Sequence, residues 1–205
     1  MTLETGGRVA AVVLAGGASS RFGRDKAGVD IDGETSIQRV IQAARGCVPE
    51  VAVVGAKKGE SPGGSIEICD RAPGEGPVQA VLSAFYELPG RDLLVLACDT
   101  PMVSTALLSM LCSPLEARFD ARVPRSPEAP MPLTALYRAG TVEIFERRWA
   151  EGARSMRAVL EALRVEWVDW AQMAQIGLNS AELQDFDSPE ELKDLMRRFG
   201  RPEPI

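Results

Sequence analysis

The stretch Val12-Val-Leu-Ala-Gly-Gly-Ala-Ser-Ser-Arg-Phe-Gly-Arg-Asp-Lys26 decides how the rest of the chain is read. It closes an apolar strand, expected from Val9 to Leu14, and then breaks into Gly16, Gly17, Ala18, Ser19 and Ser20, residues with almost no side chain. Such a backbone can approach a ligand closely. Consecutive amide N–H groups in a turn of this kind form a concave nest for anions, and Arg21, Arg24 and Lys26 add positive charge at short spacing. The loop therefore reads as a cradle for nucleotide phosphates. A Walker loop is set aside because Lys26 is followed by Ala27, and residues 16–23 do not supply the G-x-G-x-x-G of a dinucleotide fold.

Working outward, the following segments alternate between apolar strand and amphipathic helix. Ser36 reads as the cap of a helix running to about Arg45, with Ile37, Val40, Ile41 and Ala44 on one face. Val51–Val54 reads as a buried strand and residues 56–65 as an exposed loop. Ile66–Cys69 reads as a strand that delivers Asp70 into R-A-P-G-E-G-P, ahead of a helix from Pro77 to about Leu88. Asp92–Ala97 is apolar throughout, as suits a parallel strand covered on both faces, and ends in C-D-T-P, so Asp99 falls where ligands of open α/β sheets sit.

Further on, Ser104–Leu111 reads as a helix and Ala121–Pro124 as a strand, followed by a proline-rich loop to Pro132 and a strand from Leu133 to Tyr137. Helices are expected over 141–150 and from about Ser155 to Leu163, then a strand over 165–168 and a Trp-containing segment of no assigned structure. In S-P-E-E-L, Ser188 as cap, Pro189 and Glu191 predict a capping box and a C-terminal helix. With no repeats and no second linker, residues 1–205 read as one domain.

Composition narrows the chemistry. The 205 residues carry a net charge of −6, which argues against a nucleic-acid-binding protein. There is no histidine, which excludes a His-based triad and the usual zinc sites. Cys47, Cys69, Cys98 and Cys112 form no C-x-x-C pair and read as small hydrophobes of a reducing compartment. Met1–Arg8 carries no apolar run, and no stretch approaches the ~18 apolar residues of a membrane span, so a cytoplasmic protein with no membrane contact is expected.

The pattern L-A-G-G-x-S-x-R-x-G-x-D-K resembles the signature of nucleotidyltransferases with a glycosyltransferase-A-like fold, and its Gly-Gly and Asp-Lys pairs resemble the molybdenum cofactor guanylyltransferase family. Gly76-Pro77-Val78, Cys98-Asp99-Thr100-Pro101 and D-F-D-S-P-E-E-L at 185–192 follow in that family's order. The chain departs from the family at Ala80, where glycine is usual, at Met131-Pro132, where His-Pro is frequent, and at Gly55, where an asparagine contacts the nucleotide.

This resemblance implies a three-layer α/β/α fold with a mainly parallel Rossmann-like sheet. It implies transfer of GMP from GTP to the terminal phosphate of molybdopterin, with release of pyrophosphate. Carried over by position, the nucleotide contacts fall on Leu14, Ala15, Gly16, Gly17, Lys26, Asp70 and Asp99, with Arg21, Lys26 and Asp99 as catalytic residues. Asp70 would read the adjacent N–H donors of guanine. Asp99 and Asp187 would hold Mg²⁺, the other reading of Asp187 being a residue that favours the dipole of the C-terminal helix; the position of Arg154 and Arg157 at a helix start reads equally as an acceptor-phosphate contact or as surface charge. GTP, molybdopterin or the molybdenum cofactor, and transient protein partners that deliver or accept the cofactor are the expected partners. A molybdenum cofactor cytidylyltransferase, a sugar-phosphate nucleotidyltransferase and a non-catalytic nucleotide-binding module are the alternatives.

Overall fold

Alternating small and branched apolar residues build a sheet buried on both faces. In β1 (Val9–Leu14), Ala10, Val12 and Leu14 point into one core while Val9, Ala11 and Val13 point into the other. The computed structural model describes residues 8–16, 26–56, 61–126 and 129–199. After β1 come β2 (Asp30–Ile31) and β3 (Glu34–Thr35), α1 (Ser36–Arg45), β4 (Val51–Val54), β5 (Ile66–Ile68), α2 (Pro77–Glu87) and β6 (Asp92–Ala97). The chain continues through α3 (Thr105–Leu111), β7 (Ala121–Arg125), β8 (Thr134–Tyr137), α4 (Val142–Ala150), α5 (Met156–Leu160), β9 (Val165–Asp169), α6 (Trp170–Gln175) and α7 (Pro189–Phe199).

Seven strands form one sheet in the order β5-β4-β1-β6-β8-β7-β9, with β2 and β3 pairing separately as a small antiparallel hairpin. Strands β5, β4, β1 and β6 are mutually parallel, and β7 is parallel to β9. Only β8 among these seven runs the other way. The C-terminal ends of β1, β4, β5, β6, β7 and β9 therefore open on one edge.

Helices α2, α4 and α5 bury Val81, Phe85, Phe145, Met156 and Val159 against one face, where Phe145 meets Phe85 and Tyr137 edge-on at 5.5 Å. Helices α1, α3 and α6 bury Ile37, Val40, Leu107, Leu111 and Met173 against the other. The result is the expected three-layer α/β/α arrangement. A third, smaller core joins Ile31 and Met102 to Ala181, Phe186, Leu192 and Leu195, fastening α7 to the hairpin beside the open edge.

The expected elements appear with small shifts. The Asp-Gly turn at 32–33 closes the β2–β3 hairpin, with both residues at positive φ. Within the segment expected as a loop, Pro62–Gly64 form a 3₁₀ turn, and residues 57–60 lie outside the described residues. The helix expected to reach Leu163 stops at Leu160, and the unassigned Trp-containing segment is α6, capped by Asp169. At the C-terminal helix, Ser188 Oγ accepts from the Glu191 N–H as a cap should (3.1 Å). The Glu191 carboxylate, however, accepts from the N–H of Asp187 (2.6 Å), one residue earlier than a capping box requires.

Candidate active site

Leu14, Ala15, Gly16, Lys26, Asp70 and Asp99 line a single cleft of about 830 Å³ at the C-terminal edge of the sheet, together with Gly55, Gly74, Gly76 and Leu133. Sequence reading assigned all six to nucleotide contact, and the structure brings them to one cleft. Gly17 and Arg21, predicted for the same loop, lie outside the described residues. The cleft depends on close backbone approach. Gly55 has φ +80°, and a Cβ on it would sit 3.2 Å from both the Cα and N of Gly16. An asparagine there would push the Gly16 backbone away, which gives glycine at this departure from the family pattern a physical reason.

Asp99 is held by its surroundings. Ser36, fully buried at the start of α1, donates its hydroxyl to the Cys98 carbonyl at 2.6 Å, and Thr100 donates to the Ala97 carbonyl at 3.0 Å. The Cys98 N–H donates to Leu14 O at 3.2 Å, tying the end of β6 to the end of β1. Sequence reading took Ser36 only as a helix cap. Thr35 fills that role, so Ser36 is free to brace the C-D-T-P turn from inside the core.

Three charged groups meet at the edge. Lys26 Nζ donates to Asp99 Oδ2 at 3.1 Å and to Asp187 Oδ1 at 2.5 Å, and its ammonium lies 5.9 Å from the centre of the Phe186 ring. The two carboxylate oxygens are thus at most about 6 Å apart, the sum of the two distances. Asp187 comes from the segment before α7, which the Phe186 anchor draws back over the edge. Burial alone would lower the Lys26 pKa, but the hydrogen bonds to Asp187 and Asp99, reinforced by their charges, outweigh it and raise it above the ordinary lysine value. Asp185 has an open side, yet the protein packed around it, and next the charge of Asp99, push its carboxyl above the usual range.

Asp99 and Asp187 are hard oxygen donors facing one cation, which fits a divalent ion. Mg–O bonds of ~2.1 Å span at most ~4.2 Å between two ligands, so binding one ion to both would require a small approach of the carboxylates and departure of the Lys26 ammonium. No group of three or more Asp, Glu, Cys or His side chains among the described residues is placed to hold a metal, so further ligands would be water or phosphate oxygens.

At the other end of the cleft Asp70 folds into an Asx turn, its Oδ1 accepting from the Ala72 N–H at 3.1 Å. Arg154 fixes the following loop rather than reaching toward a ligand. It pairs with Glu75 at 3.1 Å and its guanidinium lies 3.6 Å from the centre of the Trp149 ring. Its carbonyl oxygen would sit 2.7 Å from a Cβ on Gly76, whose φ is +96°. In this structure Arg154 is a strut for the Asp70–Gly76 turn. Only the structure shows this, because its partners lie more than seventy residues apart.

The model of the MobA-like NTP transferase domain family matches residues 11–167. The probable molybdenum cofactor guanylyltransferase of Opitutus terrae is 34% identical over 200 residues, spanning 95% of this chain and 92% of its own. The molybdenum cofactor guanylyltransferase of Desulfosudis oleivorans is 26% identical, with 90% and 93% covered. Among solved structures, the molybdopterin-guanine dinucleotide biosynthesis protein A of Archaeoglobus fulgidus superposes with a TM-score of 0.77 at 24% identity. That superposition covers 91% of this chain and 96% of the other, and bears on the fold alone.

Proposed function

The chain belongs to the MobA-like NTP transferase domain family, and from that premise we propose that it transfers GMP from GTP to the terminal phosphate of molybdopterin. The observation that carries the reading is the meeting of Lys26, Asp99 and Asp187 at the end of β6, beside a cleft whose far wall carries Asp70. GTP would lie with its base toward Asp70, its phosphates along Leu14–Gly16, and its α-phosphorus near Lys26 and Asp99. Gly17 and Arg21 are assigned to phosphate contact by sequence alone.

An oxygen of the acceptor phosphate forms the new bond to the α-phosphorus. The bond from that phosphorus to the bridging oxygen breaks, and its electron pair leaves with pyrophosphate. The acceptor is already ionised, so no histidine, serine or cysteine is needed as base or nucleophile. Alignment and charge neutralisation supply the catalysis. Lys26 lines the cleft and is held at its rim by two carboxylates, so its ammonium has only a short path to a nucleotide phosphate. A divalent ion, proposed here as Mg²⁺, would be held by Asp99 and Asp187 and would neutralise charge on the phosphates when bound.

A guanine edge presents two neighbouring N–H donors to a carboxylate, whereas cytosine presents only its amine. The carboxylate of Asp70 therefore favours GTP over the CTP of the cytidylyl alternative. Pyrophosphate release with molybdopterin and each of the four NTPs tests the assignment. Release with GTP well above CTP, ATP and UTP supports it, and release with CTP foremost transfers it to the cytidylyl branch. No helix among the described residues is long and apolar enough to cross a membrane. Transient contact with proteins that deliver or accept the cofactor belongs to the same proposal.

A further inference from the structure

The cleft floor runs along the sheet edge from Asp70, after β5, across Leu14 and Ala97 to Leu133, just before β8. Beyond it, in strand order, lie β7 and β9. With the nucleotide on the Asp70 side and its α-phosphorus at Asp99, the acceptor on this reading extends along the sheet edge over β8, β7 and β9. Three strand spacings of ~4.8 Å put β9 about 14 Å from β6. A molecule with a phosphate at one end and a fused pterin at the other can cover that kind of span.

Val123 and Val165 pack into the core on the α2–α4–α5 side of the sheet, which is also the side of the cleft residues Leu14 and Ala80. Side chains two residues further along each strand share that face, so Arg125 and Trp167 stand on it, toward the open edge. Trp167 is an exposed large hydrophobic at 36% of its surface, on the edge strand of the sheet. The Arg125 guanidinium lies 5.6 Å from the centre of its ring and is held there by an ion pair with Asp169, its register partner in β9. An indole flanked by a fixed guanidinium, continuing the floor of a cleft, suits a flat electron-rich heterocycle.

We infer that Trp167 and Arg125 form the platform on which the pterin end of the acceptor stacks. This inference rests on the guanylyl-transfer reading above. The test uses the whole chain and purified molybdopterin, with equilibrium binding of molybdopterin and, separately, of GTP read by calorimetry. Trp167→Ala should weaken molybdopterin binding about 5- to 150-fold, the range of one base–aromatic stack. Trp167→Phe should recover much of that loss, and Arg125→Ala should cost about 2- to 5-fold. GTP affinity should stay at the parent value in all three, which also shows that the fold is kept.

Parent-like molybdopterin binding by Trp167→Ala, or no binding by the parent, overturns the platform. The two readings fail separately. Trp167-dependent binding without pyrophosphate release from GTP removes guanylyl transfer and leaves the platform. Turnover with GTP in which Trp167→Ala leaves the KM for molybdopterin unchanged does the reverse.

Discussion

Replacing Lys26 with methionine keeps a stem of similar length beside Phe186 while removing the charge between Asp99 and Asp187. Without the ammonium, two carboxylates whose oxygens are at most about 6 Å apart repel by about 0.7 kcal/mol in bulk water and up to ~3 kcal/mol at an effective dielectric of 20. The lower end is the better guide, since the Asp187 side chain is 48% exposed. Two consequences run in opposite directions. The metal no longer competes with an ammonium for the same oxygens, so the Mg²⁺ concentration for half-maximal rate should fall, by about 3- to 10-fold for ~0.7–1.4 kcal/mol. Turnover should nevertheless drop by about 10²- to 10³-fold, the usual loss when one preorganised charge at a reacting phosphate is removed. Steady-state pyrophosphate release titrated with Mg²⁺ at saturating GTP and molybdopterin reads both quantities. Unchanged turnover, or a demand for more Mg²⁺, would refute the view that Lys26 shares these carboxylates with the metal and then serves the phosphates.

Asp70→Ala should remove most of the preference for GTP over CTP, a change of roughly 10- to 150-fold for one charge-assisted hydrogen bond, read by calorimetry with each nucleotide; equal binding of both by the parent would contradict the role. If both carboxylates hold the ion as proposed, Asp187→Asn should raise the Mg²⁺ requirement less than Asp99→Asn does, because Asp187 is the more exposed of the two; identical metal curves for Asp187→Asn and the parent would leave Asp187 as a residue that only favours the helix dipole of α7. The raised pKa of Asp185 means that its charged form opposes folding, a penalty absent below the ordinary aspartate pKa and complete once pH has risen past the raised value. Asp185→Asn should therefore raise Tm slightly at pH 7, by about 1–3 °C after allowance for solvent screening, with the gain fading toward pH 4; an equal gain at both pH values would remove the electrostatic explanation.

How much of this was legible in the sequence differs by the range of the interaction. The alternating residues of β1 and the unbroken apolar run of β6 announced buried strands because side-chain direction is a local property. The C-D-T-P turn, which sets Asp99 at the end of β6, is likewise written in a few consecutive residues. The reversal of β8 carried no such signal, because direction within a sheet is decided by the connections around a strand and not by its own apolar pattern. The brace from Ser36 to Cys98, the strut from Arg154 to Glu75 and the pairing of Lys26 with Asp187 join residues 62, 79 and 161 apart. Each of these residue types is commonplace on a surface, and only the fold makes them neighbours. The shift at the start of α7 is of another kind. Glu191 reaches the Asp187 N–H in place of the Ser188 N–H, and so ties down the backbone of the residue that meets Lys26.

The central claim is that this chain moves GMP to a phosphate acceptor, and following the α-phosphorus tests it most directly. Incubation with molybdopterin, Mg²⁺ and GTP radiolabelled at the α-phosphate should place the label in a product containing both guanosine and pterin, while label at the γ-position should leave as pyrophosphate. Label recovered as free GMP or bound to protein, or a labelled dinucleotide formed from CTP and not from GTP, would contradict the account.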